Sequence, residues 1–205
     1  MGRLIVGQKF PDFEVETLYG GKQHISTMLG NDKTVFWCLR YIGCTVCRYD
    51  VHLLSQRYHE VEAKSAKVYF MMQSDKEVLA AELKDQALPF DIICDPSMEI
   101  YQALDIQPAE SMEALVGDGL KKLQTKGAAA AEAGFSHGKY EGNEQQLPAL
   151  FIVDAQSQVL TAHYAKNIMD MPTIDDLLAK AGSDKEHILR CTVYLSNMGY
   201  FSEMN

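Results

Sequence analysis

A CTVC motif at residues 44–47 carries two cysteines separated by two residues, the spacing of a dithiol that can close a disulfide. The motif follows a continuous apolar run at residues 34–39, which predicts a strand buried on both faces. From Thr45 onwards apolar residues recur every three or four positions, which predicts a helix. Cys44 is therefore expected at the N-terminus of a helix, and Cys47 one turn later on its core-facing side.

This placement predicts a reactive thiolate. Unpaired backbone N–H groups and the positive end of the helix dipole stabilise negative charge at a helix N-terminus. Arg40 and Arg48 are close in sequence, and such surroundings lower a cysteine pKa from about 8.5 into the range of about 3.5–7.5. We expect Cys44 to be the exposed attacking thiolate, Cys47 to be the sheltered thiol that resolves it, and Tyr41 to contact the substrate. The alternative role for both arginines is that of ordinary solvated side chains.

The alternative for the two thiols is a structural or zinc-bound pair. Structural zinc normally has four ligands, and the sequence contains no second cysteine pair. We therefore expect no metal and no organic cofactor. Cys38 and Cys94 fall in apolar segments and are expected to be packed thiols. Cys191 is a lone cysteine near the end of the chain and is expected to have no role. The alternative is that its thiol resolves a Cys44 sulfenic acid.

Composition and charge restrict the function classes. The chain has 205 residues and a formal net charge of −9, so no basic surface is available to neutralise nucleic-acid phosphates. No apolar run approaches the length of a membrane span, and no secretory signal precedes the first apolar segment. Five cysteines, an odd number, do not suggest a disulfide framework. We expect a cytoplasmic protein with one redox-active pair, in a reducing compartment.

The order of predicted elements indicates an α/β fold with a central mixed sheet flanked by helices. A Gly-Gly turn predicts an N-terminal β-hairpin, and the strand, helix, strand, helix order that follows predicts parallel pairing. Residues 108–146 interrupt this order and are interpreted as an insertion that could act as a mobile flap. Within it we predict an amphipathic helix bent near Gly117 and Gly119, followed by a loop from residue 127 to residue 146. A strand at 149–153, a hairpin to residue 164 and a helix at 172–181 complete the domain.

Four motifs in this order resemble the thioredoxin fold and, within it, the AhpC/TSA or peroxiredoxin-like group. They span roughly residues 5–181, so the resemblance implies one domain at 1–182 and a C-terminal extension at 183–205. It also implies a thiol oxidoreductase that takes electrons from a thiol reductant, such as a thioredoxin or a low-molecular-weight thiol. The motifs are FPDF at 10–13, LRYIGCTVCR at 39–48, LPFD through DP at 88–96, and a proline at 148 before FIVD at 151–154.

The site residues depart from the peroxiredoxin pattern. If Cys47 took the peroxidatic position, Cys44 would replace the family's Thr or Ser and Arg40 its Pro. Pro148 stands where that family has an arginine, and where thioredoxins have a cis-proline beside the CxxC motif. The resemblance therefore implies that Pro148 is a cis residue of the catalytic site and that Leu147 contacts the substrate. These residues favour a dithiol–disulfide exchanger over a standard peroxiredoxin.

The residues from Ser183 onward resemble a fragment of the RidA (YjgF) family, carried by ILRCTVYLSNM at 188–198. The catalytic arginine of that family lies in a part that this sequence lacks, so we predict no deaminase activity. The segment Cys191–Leu195 reads as a strand that could pair with a sheet edge of its own or of a second chain. A homodimer is therefore an open alternative.

The sequence as a whole predicts a thiol–disulfide oxidoreductase that reduces disulfides or peroxides with Cys44 and Cys47. Two alternatives remain. The first is an atypical peroxiredoxin with an antioxidant role, and the second is a non-catalytic thioredoxin-like binding module whose pair forms a stable structural disulfide. Neither nucleic acid nor a membrane is an expected partner.

Overall fold

The computed structural model describes residues 2–182, in which seven strands form one mixed sheet. The strand order is β2-β1-β5-β4-β3-β6-β7, with β3 paired in parallel to β4 and antiparallel to β6. This confirms the predicted α/β fold with a mixed sheet. The strands are β1 (Glu14–Thr17), β2 (Gly21–His24), β3 (Lys33–Cys38), β4 (Lys67–Met72), β5 (Ile92–Cys94), β6 (Ala149–Asp154) and β7 (Val159–Tyr164).

Helices cover both faces of this sheet. The longest, of 18 residues, follows β3 directly and carries the second cysteine of the CTVC motif. The helices are α1 (Ile25–Met28), α2 (Thr45–Glu62), α3 (Lys76–Glu82), α4 (Glu99–Ala103), α5 (Met112–Val116), α6 (Leu120–Glu132) and α7 (Ile174–Ala181), with a 3-10 turn at Gly117–Gly119.

Strand β3 lies in the interior of the sheet, and all six of its residues are buried. Successive side chains of a strand point to opposite faces. Val35 and Trp37 accordingly belong to the core cluster that contains Cys44 and Cys47, whereas Cys38 belongs to the cluster on the other face. An apolar run without alternation is what a strand packed on both sides requires, so the sequence pattern predicted this strand correctly.

Helix α6 shows where the sequence interpretation of the insertion was partly wrong. The bend near Gly117 and Gly119 is present, because a 3-10 turn separates α5 from α6. The predicted loop from residue 127 is instead helical as far as Glu132. The run of alanines has no apolar periodicity, but alanine has the highest intrinsic helix propensity, and the Lys126–Asp50 ion pair joins this helix to α2.

The expectation of a cis peptide before Pro148 is also wrong. No cis peptide bond occurs in residues 2–182, so Leu147–Pro148 is trans. A trans X–Pro bond is favoured by about 0.5–1 kcal/mol when nothing else selects the isomer. Here Pro148 is buried and leads directly into β6, and its carbonyl accepts a hydrogen bond from the Ala165 amide.

Within residues 2–182 no helix has the length and apolar character that crossing a membrane would require. The RidA-like segment, with Cys191, lies outside the described residues.

Candidate active site

The two thiols of the CTVC motif lie together beneath the surface of the protein. Cys44 is the N-cap residue of α2 and Cys47 lies in the first turn, with their Sγ atoms 2.7 Å apart and no disulfide between them. A disulfide of about 2.05 Å can close from this arrangement with little movement of the backbone. Cys44 is only 2% exposed and Cys47 3% exposed, so the expectation of an exposed Cys44 is wrong.

Arg40 supplies positive charge to this pair. Its side chain is buried, and Nη1 lies 3.7 Å from Cys44 Sγ while the guanidinium stacks over the ring of Tyr41 at 5.2 Å. In the described part of the chain Arg40 forms no ion pair with a carboxylate, and its Nε has no hydrogen-bond partner. A buried cation without a counter-ion is costly, and a Cys44 thiolate would neutralise it.

The surroundings shift the pKa values of the two thiols in opposite directions. The hydrogen bond from Cys47 and the nearby Arg40 charge lower the pKa of Cys44 to about 7, although burial acts in the opposite direction. Burial, together with the hydrogen bond that Cys47 gives to Cys44, raises the pKa of Cys47. Cys44 is therefore the group that ionises first, and Cys47 is held as a neutral thiol that donates to it.

Arg48 is placed elsewhere than expected. Its Nη1 forms a 2.7 Å ion pair with Glu82 of α3, and its Nη2 donates to the Glu82 carbonyl. The guanidinium also lies over the ring of Phe135 at 5.7 Å. The structure therefore does not bring Arg48 to the thiols, because an acidic partner on the neighbouring helix holds it. The sequence places both arginines equally near the motif and cannot reveal this partner.

The end of the insertion covers the turn that holds Cys44. Tyr41, predicted to contact the substrate, is buried, and its hydroxyl lies 3.3 Å from His137 Nε2. The ring of Tyr140 lies 4.2 Å from that of His137 and is 60% exposed. Aromatic side chains from a segment about 95 residues away therefore stand between Tyr41 and solvent. The motifs of the sequence include neither His137 nor Tyr140, because the place of both rings depends on the path of the insertion.

Backbone contacts hold the same segment in place. The Gly138 amide donates to the Gly43 carbonyl at 2.8 Å, and a Cβ added at Gly43 would lie 2.0 Å from the Lys139 carbonyl oxygen. Ser74 links the turn before Cys44 to the end of the insertion. Its hydroxyl accepts a hydrogen bond from the Ile42 amide and donates one to the Glu141 carboxylate, each at 2.9 Å. We define residues 137–143 as the cover segment. Its contact residues could not be predicted, because they depend on the path of the insertion.

Leu147 and Pro148 come after the cover segment. Pro148 is buried at the start of β6, and Leu147 is half-buried and packs against the core cluster that contains both thiols. The structure therefore brings Leu147 to the thiol side of the sheet. Among the described residues no hydrogen bond joins Leu147 to the thiols. The Leu147 carbonyl accepts a hydrogen bond from the side-chain amide of Gln146.

The other described cysteines are separate from this pair. Cys38 and Cys94 are buried, and burial raises the pKa of each thiol. Both are therefore inert at neutral pH, as expected for packed residues. Within residues 2–182 no three His, Cys, Asp or Glu side chains are grouped to hold a metal ion.

Comparisons with known proteins agree on fold and family. A mitochondrial 1-Cys peroxiredoxin of yeast is similar in structure, with a TM-score of 0.63 and 14% identity over 85% of this chain and 73% of that chain. The reduced 2-Cys peroxiredoxin of Plasmodium vivax has a TM-score of 0.63 and 12% identity, over 89% and 82%. The peroxidoxin BcpB of Mycobacterium tuberculosis has a TM-score of 0.59 and 14% identity, over 86% and 95%. No curated protein matches the sequence.

The structural likeness establishes the thioredoxin-like fold of the peroxiredoxins. The sequence model of the AhpC/TSA family matches residues 6–162, which is well over half of the chain and includes both thiols, Arg40 and the cover segment. The chain therefore belongs to the AhpC/TSA family and is a peroxiredoxin-like thiol oxidoreductase of the thioredoxin superfamily.

Proposed function

We propose that this protein uses Cys44 and Cys47 as a dithiol that reduces disulfides or peroxides, with Cys44 attacking and Cys47 resolving. The observation that carries the proposal is the buried Arg40, which has no carboxylate partner among the described residues and lies 3.7 Å from Cys44 Sγ. A cation in this position favours the thiolate, which is the nucleophilic form of cysteine. The 2.7 Å separation of the sulfurs places the second thiol where a resolving group is needed.

The chemistry follows from these positions. With a disulfide, the Cys44 thiolate attacks one sulfur and expels the other as a thiolate, which leaves a mixed disulfide. With a hydroperoxide, the same thiolate takes the terminal oxygen and becomes a sulfenic acid while an alcohol or water leaves. Cys47 then attacks the Cys44 sulfur and forms the intramolecular disulfide, which releases the substrate's remaining sulfur as a thiol from the mixed disulfide, or water from the sulfenic acid. A thiol reductant, a thioredoxin or a small thiol, returns the pair to the dithiol.

An atypical hydroperoxide reductase is the second candidate, and membership of the AhpC/TSA family favours it. It uses the same thiols, so only the preferred substrate differs. Both candidates require a reducing compartment, and we place the protein in the cytoplasm on that account.

Stopped-flow measurements on the reduced protein test the proposal. Hydrogen peroxide and a small disulfide are mixed separately with the protein and with Cys44→Ser and Cys47→Ser variants. We expect reaction to be lost in Cys44→Ser, and Cys47→Ser to stop at the mixed disulfide or sulfenic acid. A faster reaction with the disulfide identifies an exchanger, and a faster reaction with peroxide identifies a peroxidase. If neither reagent reacts, the pair is structural and the proposal fails.

A further inference from the structure

A cavity of ≈870 Å³ lies between α2, α6 and the segment that leads into α7, and neither thiol of the CTVC motif belongs to its lining. This volume falls in the range of about 300–1,000 Å³ that is typical of small-molecule sites, which often lie between helices. The lining has an apolar part, formed by Trp37, Leu53, Ile168, Met169, Met171, Pro172 and Ile174. The indole Nε1–H of Trp37 is buried without a hydrogen-bond partner in the described chain, so the floor contains an unused donor.

The charged groups of the lining are mostly paired with one another. Asp50 bonds to Lys126 at 2.5 Å, and Asp175 bonds to Arg57 at 2.8 Å. Asp118 accepts a 2.7 Å hydrogen bond from the side chain of Asn167. Two of the three carboxylates are therefore neutralised by cations, whereas Asp118 keeps its negative charge beside the neutral amide of Asn167.

Two cations of the lining remain available. Lys121 and Lys122, at the start of α6, are exposed and line the cavity. Neither forms an ion pair within the described residues, although the chain as a whole carries a net charge of −9. These two lysines outnumber the one carboxylate that is not ion-paired, Asp118, so the rim of the cavity carries a small net positive charge over an apolar interior.

We propose that this cavity binds a small amphipathic carboxylic acid, with its carboxylate at Lys121 and Lys122 and its apolar chain against Leu53, Met169 and Trp37. Met169 and Met171 suit such a chain, because flexible thioethers adapt to irregular apolar shapes. The proposal does not rest on the proposed thiol chemistry, because the binding of such a ligand is measured without any reaction of the cysteines.

Decanoate is the probe, and Trp37 is the reporter because it is the only tryptophan of the chain. Decanoate is titrated below its micelle concentration into the full-length, reduced protein, and Trp37 emission is followed. Decyltrimethylammonium, which has the same chain with a cationic head, serves as the matched probe. We expect a saturable change with decanoate and at least ten-fold weaker binding of the cationic probe.

Two variants locate the site. The double variant Lys121→Glu with Lys122→Glu is expected to raise the Kd of decanoate at least ten-fold, whereas Lys9→Glu with Lys84→Glu, which changes the net charge equally at exposed positions outside the cavity, is expected to leave it unchanged. Leu53→Trp, followed by calorimetry, is expected to abolish binding by filling the apolar part. If Leu53→Trp does not fold, the two charge-reversed double variants still test whether decanoate binds at Lys121 and Lys122.

Three outcomes would overturn the proposal. Absence of saturable binding would show that the cavity holds no such ligand. Equal binding of both probes would show unspecific apolar adsorption. Equal loss in the two charge-reversed double variants would show a long-range charge effect without a site at Lys121 and Lys122.

Discussion

At the scale of single residues, the contact between the buried guanidinium of Arg40 and the Cys44 sulfur distinguishes this site from an ordinary buried dithiol. A guanidinium remains charged at every accessible pH, so burial without a carboxylate leaves it dependent on another anion. The Cys44 sulfur is the acceptor that the structure provides, at 3.7 Å. At the position where the peroxiredoxin resemblance expects an arginine this chain has Pro148. Arg40, two residues after β3, brings a guanidinium to within 3.7 Å of the Cys44 sulfur.

Replacing Arg40 by Gln is therefore expected to raise the pKa of Cys44, by about one unit or more, because an opposite charge at this distance typically has that effect. With a starting pKa of about 7, the thiolate fraction at pH 7 falls about five-fold. The measurement is the rate of alkylation by iodoacetamide as a function of pH, which reports the thiolate.

Arg48→Gln is the matched control, since Arg48 pairs with Glu82 and does not contact the thiols. Its pH profile should coincide with that of the unmodified protein, and Arg40→Lys should restore part of the reactivity by returning a positive charge. Equal shifts for Arg40→Gln and Arg48→Gln would contradict a specific role of Arg40 and would point to a general effect of net charge.

At the scale of elements, the insertion lies over the turn that precedes the two thiols. Helix α6 is joined to α2 by the ion pair of Lys126 with Asp50, and the chain then returns over the CTVC turn as the cover segment. Burial raises the pKa of Asp50, and Lys126 opposes that effect, so this pair connects the insertion to the helix that carries Cys47. Because Cys44 is 2% exposed, the proposed reaction requires an opening to its sulfur, and we expect displacement of residues 137–143 to provide it.

Gly43→Ala is expected to displace this cover segment. The added Cβ would lie 2.0 Å from the Lys139 carbonyl oxygen, which is backbone and cannot rotate away, so the segment must move. We expect several-fold faster alkylation of Cys44 at a pH where the thiolate is fully formed, together with faster tryptic cleavage after Lys139. Alkylation as slow as in the unmodified protein would show that the cover segment does not control access.

Gly127→Ala is the control for a glycine in the same insertion. A Cβ there meets nothing within 4 Å, and the residue lies inside α6. The substitution should stabilise the helix by about 1 kcal/mol through propensity alone and leave the alkylation rate unchanged.

Local patterns predicted what depends on local structure. The apolar run of β3, the start of α2 at Thr45 and the bend near Gly117 all follow from periodicity and residue type. The exposure of Cys44 was predicted wrongly because it depends on a segment about 95 residues further along the chain. The partner of Arg48 and the isomer before Pro148 also depend on tertiary contacts. The position of the thiol pair therefore follows from the neighbouring sequence, whereas the residues that surround the pair are set by tertiary contacts.

At the scale of the whole molecule, the two faces of the sheet have different roles. One core cluster contains Cys44, Cys47 and Trp37 and packs under α2 and α7, whereas the other contains Phe36 and Cys38. In the second cluster Phe10 stacks on Phe36 at 4.7 Å and contacts Phe151 at 5.5 Å. The two thiols of the CTVC motif thus lie within one of the two main cores, so a change in their ionisation changes the stability of the whole domain.

The reduced protein is therefore expected to gain stability, relative to the disulfide form, as pH rises from 6 to 8. The folded pKa of Cys44 is lowered to about 7, below an unfolded value of about 8.5, so its contribution is fully present above the unfolded pKa and is lost as pH falls through the folded pKa. Linkage gives a gain of about 1 kcal/mol across this window. The raised pKa of Cys47 acts in the opposite direction, but mainly above pH 8, where the unfolded thiol ionises.

Urea unfolding of the reduced and oxidised forms at pH 6, 7 and 8 measures this difference. Groups that titrate equally in both forms cancel when the two free energies of unfolding are subtracted. Arg40→Gln serves as the comparison, because the substitution removes one cause of the lowered pKa of Cys44 and leaves the Cys47 hydrogen bond in place, so the pH dependence of the difference should become smaller. A difference that stays constant with pH in the unmodified protein would mean that Cys44 is not ionised in the folded state at neutral pH, and that burial outweighs the Cys47 hydrogen bond and the Arg40 charge together.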